Sequence, residues 1–136
     1  MDLDGKVALV TGASRGVGAA TALALAEAGC RVACAARSTK DAPQRTPGTL
    51  DETLERIAAV GAEGLAVPTN LADRDAVRAM VATSVKHFGR LDVLVNNAAV
   101  QFIGDLYQPQ SHHDLTFAVN YWGPLIAIQE AALVME

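Results

Sequence analysis

The pattern of hydrophobic and polar positions predicts strands and helices that alternate along the whole chain. Short apolar runs are typical of strands buried in a parallel sheet, and they occur at residues 7–10, 31–36, 64–67 and 91–95. Apolar or alanine-rich stretches with helical spacing follow them at residues 17–28, 50–61, 73–88 and 111–136. This alternation predicts a single α/β domain over residues 1–136, with a doubly wound parallel sheet and right-handed crossovers.

A glycine-rich turn with Gly12, Gly16 and Gly18 joins the first predicted strand to the first helix. Glycines at this spacing let the backbone turn tightly, leave N–H groups open to an anion and allow a helix to pack closely on a strand. The N-terminus of the following helix adds partial positive charge. The stretch therefore predicts the phosphate-binding turn of a dinucleotide site, and a purely structural turn is the alternative.

Composition and charge narrow the classes of partner. Of the 136 residues, 51% are hydrophobic and 19% are charged, which suits one folded domain with its own core. A formal net charge of −4 argues against an overall basic surface for nucleic acid or for an anionic membrane. Any anion site must therefore be built locally, and Arg15 and Arg37 are the candidate cations.

The N-terminal residues and the cysteines indicate a cytoplasmic protein. Residues 1–6 lack the basic start and apolar stretch of a secretory signal, and no apolar run is long enough to span a membrane. Cys30 and Cys34 fall on what the pattern indicates is one strand, roughly 13 Å apart at strand rise, which is too far for a disulfide. We therefore expect two reduced cysteines in the core.

The second predicted strand ends at Arg37 and Ser38, where a dinucleotide site reads the ribose of its cofactor. An acidic residue there would bind the two ribose hydroxyls, whereas the planar, permanently charged guanidinium of Arg37 suits a 2′-phosphate. Arg15, in the glycine-rich turn, is placed to approach the same phosphate from the other side. The residues thus favour NADP(H) over NAD(H), and two solvated surface arginines are the alternative.

Three motifs resemble those of the short-chain dehydrogenase/reductase family. Residues 11–18 resemble its Thr-Gly-x-x-x-Gly-x-Gly cofactor motif, residues 96–99 resemble its Asn-Asn-Ala-Gly motif, and Val119-Asn120 resemble the helix position of its structural and catalytic asparagine. All three occur in the family's order and on the expected elements. The resemblance implies a Rossmann-type sheet with strand order 3-2-1-4, an NAD(P) cofactor, and hydride transfer at a carbonyl or alcohol substrate.

The same resemblance implies a cofactor-binding role for a set of residues, position by position. The pyrophosphate and the adenosine ribose would contact Gly12, Ser14, Arg15, Gly16, Val17 and Gly18. The 2′-phosphate would contact Arg37 and Ser38, and the adenine would contact Asn70 and Leu71. The other ribose groups would contact Asn97, Ala98 and Ala99. Two positions depart from the family. Asn70 stands where aspartate is common in the family, so the side chain keeps an acceptor oxygen but loses the negative charge. Ala99 stands where glycine is usual, so its methyl group is additional.

Asn120 is the one candidate catalytic residue. Because Pro124 has no N–H, the carbonyl of Asn120 loses its ordinary helical partner. A carbonyl freed in this way can hold a water, and the resemblance implies that this asparagine serves a proton relay through such a water. The alternative is that Gly123 and Pro124 only bend the helix around the core.

The family's proton donor has no match in the sequence. The resemblance implies a tyrosine with a lysine four residues later and a preceding serine, but Tyr107 and Tyr121 are followed at that spacing by Ser111 and Leu125. We therefore expect the cofactor-binding half of the enzyme, truncated before the fifth strand, with an apolar edge on the fourth strand and no activity alone. A non-catalytic NADP(H)-binding or scaffold module is the alternative.

Two further expectations concern the C-terminal region. The predicted helix at 111–136 is apolar on more than one face, which suits a homo-oligomer interface. His112 and His113 fall near the exposed start of this helix, and no cluster of cysteines or carboxylates accompanies them at ligand spacing. We therefore expect no metal site.

Overall fold

One four-stranded parallel sheet, in the order β3-β2-β1-β4, organises the computed structural model, which describes residues 2–135. The strands are β1 (Val7–Thr11), β2 (Arg31–Ala36), β3 (Gly64–Pro68) and β4 (Val93–Val95). The helices are α1 (Gly16–Glu27), α2 (Leu50–Ala59), α3 (Arg74–Phe88), α4 (Gln110–Phe117) and α5 (Gly123–Ala132), with a π-helical segment, Ala118–Trp122, between the last two. The predicted doubly wound sheet and its strand order are confirmed.

Strand β1 is the centre of the sheet. It is buried along its whole length because β2 and β4 pair with it on either side, with Leu9 opposite Ala33 and Leu94. All three strands run in the same direction, so their carboxyl ends meet at one edge of the sheet. The glycine-rich turn and residues 96–99 follow two of these ends and are therefore neighbours.

Alternate residues of β1 pack into two separate cores, one on each face of the sheet. Leu9 lies in the core formed with α3 and α5, whereas Val10 lies in the core formed with α1 and α2. Since successive side chains of a strand point to opposite faces, burial on both faces explains the continuous apolar run that predicts this strand. The resulting sheet is a rigid base for the loops at its carboxyl edge.

Local sequence signals explain where α2 and α3 begin and end. Thr49 and Glu52 form the reciprocal capping box at the start of α2, as the sequence predicts. The Asp73 carboxylate accepts hydrogen bonds from the backbone N–H groups of Asp75 and Ala76 in the first turn of α3, and Gly89, with a φ of +81°, closes that helix in the left-handed region. These caps fix the connections from β2 to α2, from β3 to α3 and from α3 to β4.

The prediction of one long helix over 111–136 is wrong in one respect. The helix widens into the π-helical segment 118–122, where the N–H of Gly123 donates to the carbonyl of Ala118, five residues earlier. Pro124 supplies the physical reason, because it cannot donate to Asn120 and the bonding pattern must change there. Glu136, at the end of the predicted range, lies outside the described residues.

Strand β4 is shorter than the predicted 91–95. The side chain of Asp92 accepts the N–H of Val7 at 2.9 Å, which a backbone carbonyl would accept in a longer ladder, while the Asp92 N–H donates to the carbonyl of Val7 at 2.9 Å. Leu91 is nevertheless buried in the core. The three residues of β4 are only half-buried because this strand is an edge of the sheet, as expected.

Candidate cofactor-binding site

A cleft of about 420 Å³ lies at the carboxyl edge of the sheet. The predicted cofactor residues that line it are Gly12, Ser14, Arg15, Gly16, Val17, Arg37, Ser38, Asn70, Leu71, Asn97, Ala98 and Ala99. Sequence reasoning missed the other lining residues: Ala36, Gln44, Thr69, Val100, Leu115 and Val119. Most of these adjoin a predicted position, whereas Gln44 lies in the connection between β2 and α2, where no motif marks it.

Gly18, the one predicted cofactor residue outside the lining, has a packing role. A Cβ at this position would overlap the carbonyl oxygen of Gly12 and lie 2.5 Å from Nδ2 of Asn97. Gly12 itself has a φ of +67°, a conformation that side-chain-bearing residues rarely adopt. The glycine spacing therefore lets α1 begin directly against the turn, with its N-terminus facing the cleft.

Thr11 and Asn97 join the carboxyl ends of β1 and β4. The buried Thr11 hydroxyl accepts hydrogen bonds from the N–H groups of Asn97 and Ala98, both at 3.1 Å, and donates to the carbonyl of Val95 at 3.4 Å. In return, Nδ2 of Asn97 donates to the carbonyl of Thr11 at 3.1 Å. These bonds hold the residues that follow β4 against the glycine-rich turn, which forms one wall of the cleft.

Arg15 and Arg37 supply the positive charge at the cleft. Arg15 is half-buried in the glycine-rich turn, and Arg37 is exposed at the end of β2. Within residues 2–135, neither guanidinium lies within 4.0 Å of a carboxylate oxygen. Both remain available to an anionic group in the cleft.

Ser38 is almost fully buried, and its hydroxyl is engaged by the following loop. Oγ donates to the carbonyl of Gly48 at 2.7 Å and lies 3.5 Å from the N–H of Gln44, which donates to it. The carbonyl of Ser38 accepts the N–H of Leu50 at 2.9 Å. The hydroxyl hydrogen is therefore already used within the protein.

The predicted adenine-side residues follow β3. The Oδ1 of Asn70 accepts the N–H of Ala72 at 3.1 Å, which forms a local turn. The backbone of Leu71 lies against Gly123, the first residue of α5, since a Cβ at Gly123 would lie 3.0 Å from the Leu71 carbonyl oxygen. The guanidinium of Arg74 lies 4.3 Å from the ring centre of Trp122 in the same region. This side of the cleft is thus supported by the helix that carries Asn120.

Asn120 lies outside this cleft and borders a second one, also of about 420 Å³, with Ala99, Val100 and His112. Its side chain donates from Nδ2 to the carbonyl of Val100 and accepts the N–H of Val100 at Oδ1, both at 2.8 Å. Asn120 therefore fixes the segment after β4. The predicted relay role of its carbonyl stays a prediction, and the π-helical turn is consistent with the missing Pro124 donor.

The other titratable groups that sequence analysis singled out have structural surroundings. Burial raises the pKa of Cys34 to about 12, and burial together with the charge of Asp92 raises the pKa of Cys30. The ring of His112 stacks on Phe102 at 3.8 Å, and its Nδ1 lies 2.8 Å from Oε1 of Gln108. In the part of the chain that the structure describes, no three His, Cys, Asp or Glu side chains cluster as metal ligands would.

A parallel sheet with a glycine-lined, arginine-bearing cleft at its carboxyl edge is typical of nucleotide-binding α/β proteins. The chain belongs to the short-chain dehydrogenase family, whose profile matches residues 6–136. No helix among residues 2–135 is long and apolar enough to cross a membrane.

Comparison with individual proteins supports the same family. An uncharacterized oxidoreductase from Methylorubrum extorquens is 40% identical over 131 residues, covering 96% of this chain and 50% of the relative. The 3-oxoacyl-[acyl-carrier-protein] reductase FabG of Staphylococcus aureus is 45% identical over 95 residues, covering 70% of this chain and 36% of FabG. A short chain dehydrogenase from Burkholderia cenocepacia, solved in complex with NADP, superposes with a TM-score of 0.90 at 36% identity, covering 99% of this chain and 53% of that structure. The chain spans about half the length, or less, of these relatives.

Proposed function

We propose that this chain is the NADP(H)-binding half of a short-chain oxidoreductase that transfers a hydride between NADP(H) and a carbonyl or alcohol substrate. The observation that carries the proposal is the presence of both Arg15 and Arg37 in the lining of the glycine-lined cleft. A guanidinium is a planar, permanently charged donor that binds phosphate oxygens through two parallel hydrogen bonds. NAD(H) is the alternative cofactor.

The remaining cofactor contacts follow from the lining of the cleft. The pyrophosphate would bind at the glycine-rich turn, where Gly16 opens α1 and the helix N-terminus favours negative charge. The adenine would lie toward Asn70 and Leu71, and the nicotinamide side toward Ala98 and Ala99. The cofactor supplies the hydride, and these residues bind and orient it.

Neither Tyr107 nor Tyr121 has a lysine four residues later, so we propose neither as the proton donor of the reaction. Asn120 would contribute through its backbone carbonyl, which can hold a water for a relay, while its side chain fixes Val100. The second candidate function is a non-catalytic NADP(H)-binding module. The two candidate functions are distinguished by one activity, the oxidation of NADPH coupled to reduction of a carbonyl compound.

Cofactor titration tests the proposal directly. We expect NADPH to bind more tightly than NADH by about tenfold or more, since each charge-assisted hydrogen bond contributes about 1.5–3 kcal/mol. Trp122, the one tryptophan, provides a fluorescence signal for the titration. Equal affinities for the two cofactors would overturn the NADP(H) preference, and binding of neither would overturn the cofactor-binding function itself.

We also propose that the protein forms a homo-oligomer through the helix that the sequence predicts at 111–136. Its described part exposes large apolar side chains, with Phe117 at 62%, Tyr121 at 53% and Ile128 at 52%. Large apolar side chains exposed along one helical region support a role in association. Sedimentation should show an assembly larger than one chain, and Tyr121→Glu should shift it toward the monomer.

A further inference from the structure

The loop between β2 and α2, residues 39–48, folds back onto the glycine-rich turn. Gly48 has a φ of +111°, and a Cβ there would lie 2.6 Å from the carbonyl oxygen of Ser14 and 2.8 Å from Cβ of Arg15. No side chain fits between these two segments. The end of the loop therefore packs directly on the backbone that carries Arg15.

The side chain of Ser38 fixes this loop through two hydrogen bonds. Its buried Oγ donates to the Gly48 carbonyl at 2.7 Å and accepts the N–H of Gln44 at 3.5 Å, so one hydroxyl contacts both the middle and the end of the loop. A further hydrogen bond holds the beginning of the loop, where the N–H of Lys40 donates to Oδ2 of Asp51 on α2 at 2.6 Å. The loop is thus anchored at several points.

Gln44 is the loop residue that reaches the cleft, where it joins Arg15, Arg37 and Ser38 in the lining. Its Nε2 makes one long hydrogen bond, 3.4 Å to the carbonyl of Ala42. An amide nitrogen carries two hydrogens, so a donor remains for a ligand. The side chain is exposed and can adjust its rotamer toward the cleft.

We propose that Gln44 is a specificity-determining residue that donates a hydrogen bond to the 2′-phosphate of NADP(H), and that Ser38 is a positioning residue that holds Gln44 in place. This inference rests on the proposed function, because it requires the cleft to bind NADP(H). Ser38 acts through the loop because its hydroxyl hydrogen is committed to Gly48. The phosphate is then bound by two guanidinium groups and one neutral amide donor.

Gln44→Ala provides the first test, by titration of the protein with NADPH and NADH at about 0.15 M salt, where surface charges are screened. We expect the affinity for NADPH to fall about tenfold, since one hydrogen bond to a charged group is lost. The affinity for NADH should stay within about twofold. Gln44→Glu should weaken NADPH further, because a carboxylate repels the phosphate.

Arg45→Ala is the matched control, because Arg45 is exposed in the same loop and does not line the cleft. Its NADPH affinity should remain within about twofold of the wild-type value. An equal loss in Arg45→Ala and Gln44→Ala would overturn the inference, since it would indicate a general effect of the loop. Equal losses of NADPH and NADH affinity in Gln44→Ala would also overturn it.

A double-mutant cycle tests the positioning role of Ser38. If Ser38 acts through Gln44, Ser38→Ala should weaken NADPH binding less in the Gln44→Ala background than in the wild type. Additive effects would overturn this role. The wild-type preference separates the two proposals: equal NADPH and NADH affinities overturn both, whereas a preference that Gln44→Ala leaves intact overturns only the inference.

Discussion

Asn120 and Val100 are joined by a pair of hydrogen bonds, both at 2.8 Å, across twenty residues of chain. The amide of Asn120 satisfies both the N–H and the carbonyl of Val100, as a neighbouring strand would. Both polar atoms of this side chain are therefore committed to the segment after β4. The group proposed for the proton relay is the backbone carbonyl of Asn120, to which Pro124 cannot donate.

Asn120→Asp should destabilise the protein because it replaces the Nδ2 donor with an oxygen facing the Val100 carbonyl. We expect a loss of about 0.5–1.5 kcal/mol in the free energy of unfolding, measured by urea denaturation. Asn96→Asp is the matched control, since Asn96 is exposed and makes no side-chain hydrogen bond within residues 2–135. Equal stabilities of the two variants would show that the Asn120–Val100 pair contributes little.

Arg37→Asp should reverse the cofactor preference. The carboxylate can accept hydrogen bonds from both ribose hydroxyls and repels a 2′-phosphate, so NADPH affinity should fall about 100-fold while NADH affinity holds or rises. The comparison is a titration with both cofactors. Arg56→Asp, an exposed change of the same kind on α2 outside the cleft, should leave the ratio unaltered. Equal losses for both cofactors would show that Arg37 does not select the phosphate.

Gly18→Ala should destabilise the glycine-rich turn by about 3 kcal/mol or more, because the added methyl group overlaps the Gly12 carbonyl. Gly16→Ala is the informative comparison. Its Cβ would meet nothing within 4 Å, and only the φ of +55° opposes it, at a cost of about 1–2 kcal/mol. Thermal unfolding of the two variants distinguishes a lack of space at Gly18 from backbone strain at Gly16. A larger loss of stability in Gly16→Ala than in Gly18→Ala would contradict the described packing.

Asp92 should contribute a pH-dependent part of the stability. The hydrogen bond from Arg90 holds the pKa of Asp92 below its ordinary value of 3.8, aided by the N–H of Val7 and the charges of Arg90 and Lys6, and opposed by partial burial. Because the folded pKa is lowered, the contribution is complete above the unfolded value and is lost as the pH falls through the folded pKa.

Asp92→Asn should accordingly lower the free energy of unfolding by about 1 kcal/mol at pH 7, and the difference from wild type should shrink as the pH falls below 3.8. Urea denaturation across this range provides the measurement. Asp41→Asn, at an exposed carboxylate of the β2–α2 loop, serves as the control. A difference that persists at low pH would show that the loss is steric and not electrostatic.

The two cysteines should resist thiol reagents in the folded protein. Cys34 is fully buried, and with a pKa of about 12 only about one molecule in 10⁴ is thiolate at pH 8. A chromogenic disulfide reagent should therefore label neither residue in the native state and both after unfolding in urea. Rapid labelling of native protein would contradict the described core.

The fold was predictable because its signals are local. A few adjacent residues determine each of three features: the buried strands, the glycine-rich turn and the Thr49–Glu52 capping box. The structure confirms all three. The π-helical segment was not predictable in the same way. Pro124 reveals a missing donor at Asn120, but the sequence does not show whether the helix bends or widens in response.

The site was predictable where a motif places residues at strand ends and unpredictable where the loop conformation decides. Arg37 follows β2 directly, so its position at the cleft follows from the topology. Gln44 reaches the same cleft only because Ser38 bonds to Gly48, ten residues away, and because Gly48 packs against Arg15. Neither contact leaves a pattern in the sequence. Cofactor choice can therefore depend on residues that motif comparison passes over.

The distance along the sequence between β1 and its partner strand β4 has a consequence for synthesis on the ribosome. The bond between Val7 and Asp92 spans 85 residues, whereas the pairing of Leu9 with Ala33 needs a much shorter piece of chain. One edge of the most buried strand therefore stays open while the intervening residues are translated, and such edges promote association between unfinished chains. A chaperone that shields the nascent N-terminal strand should therefore raise the yield of folded protein without changing its final stability.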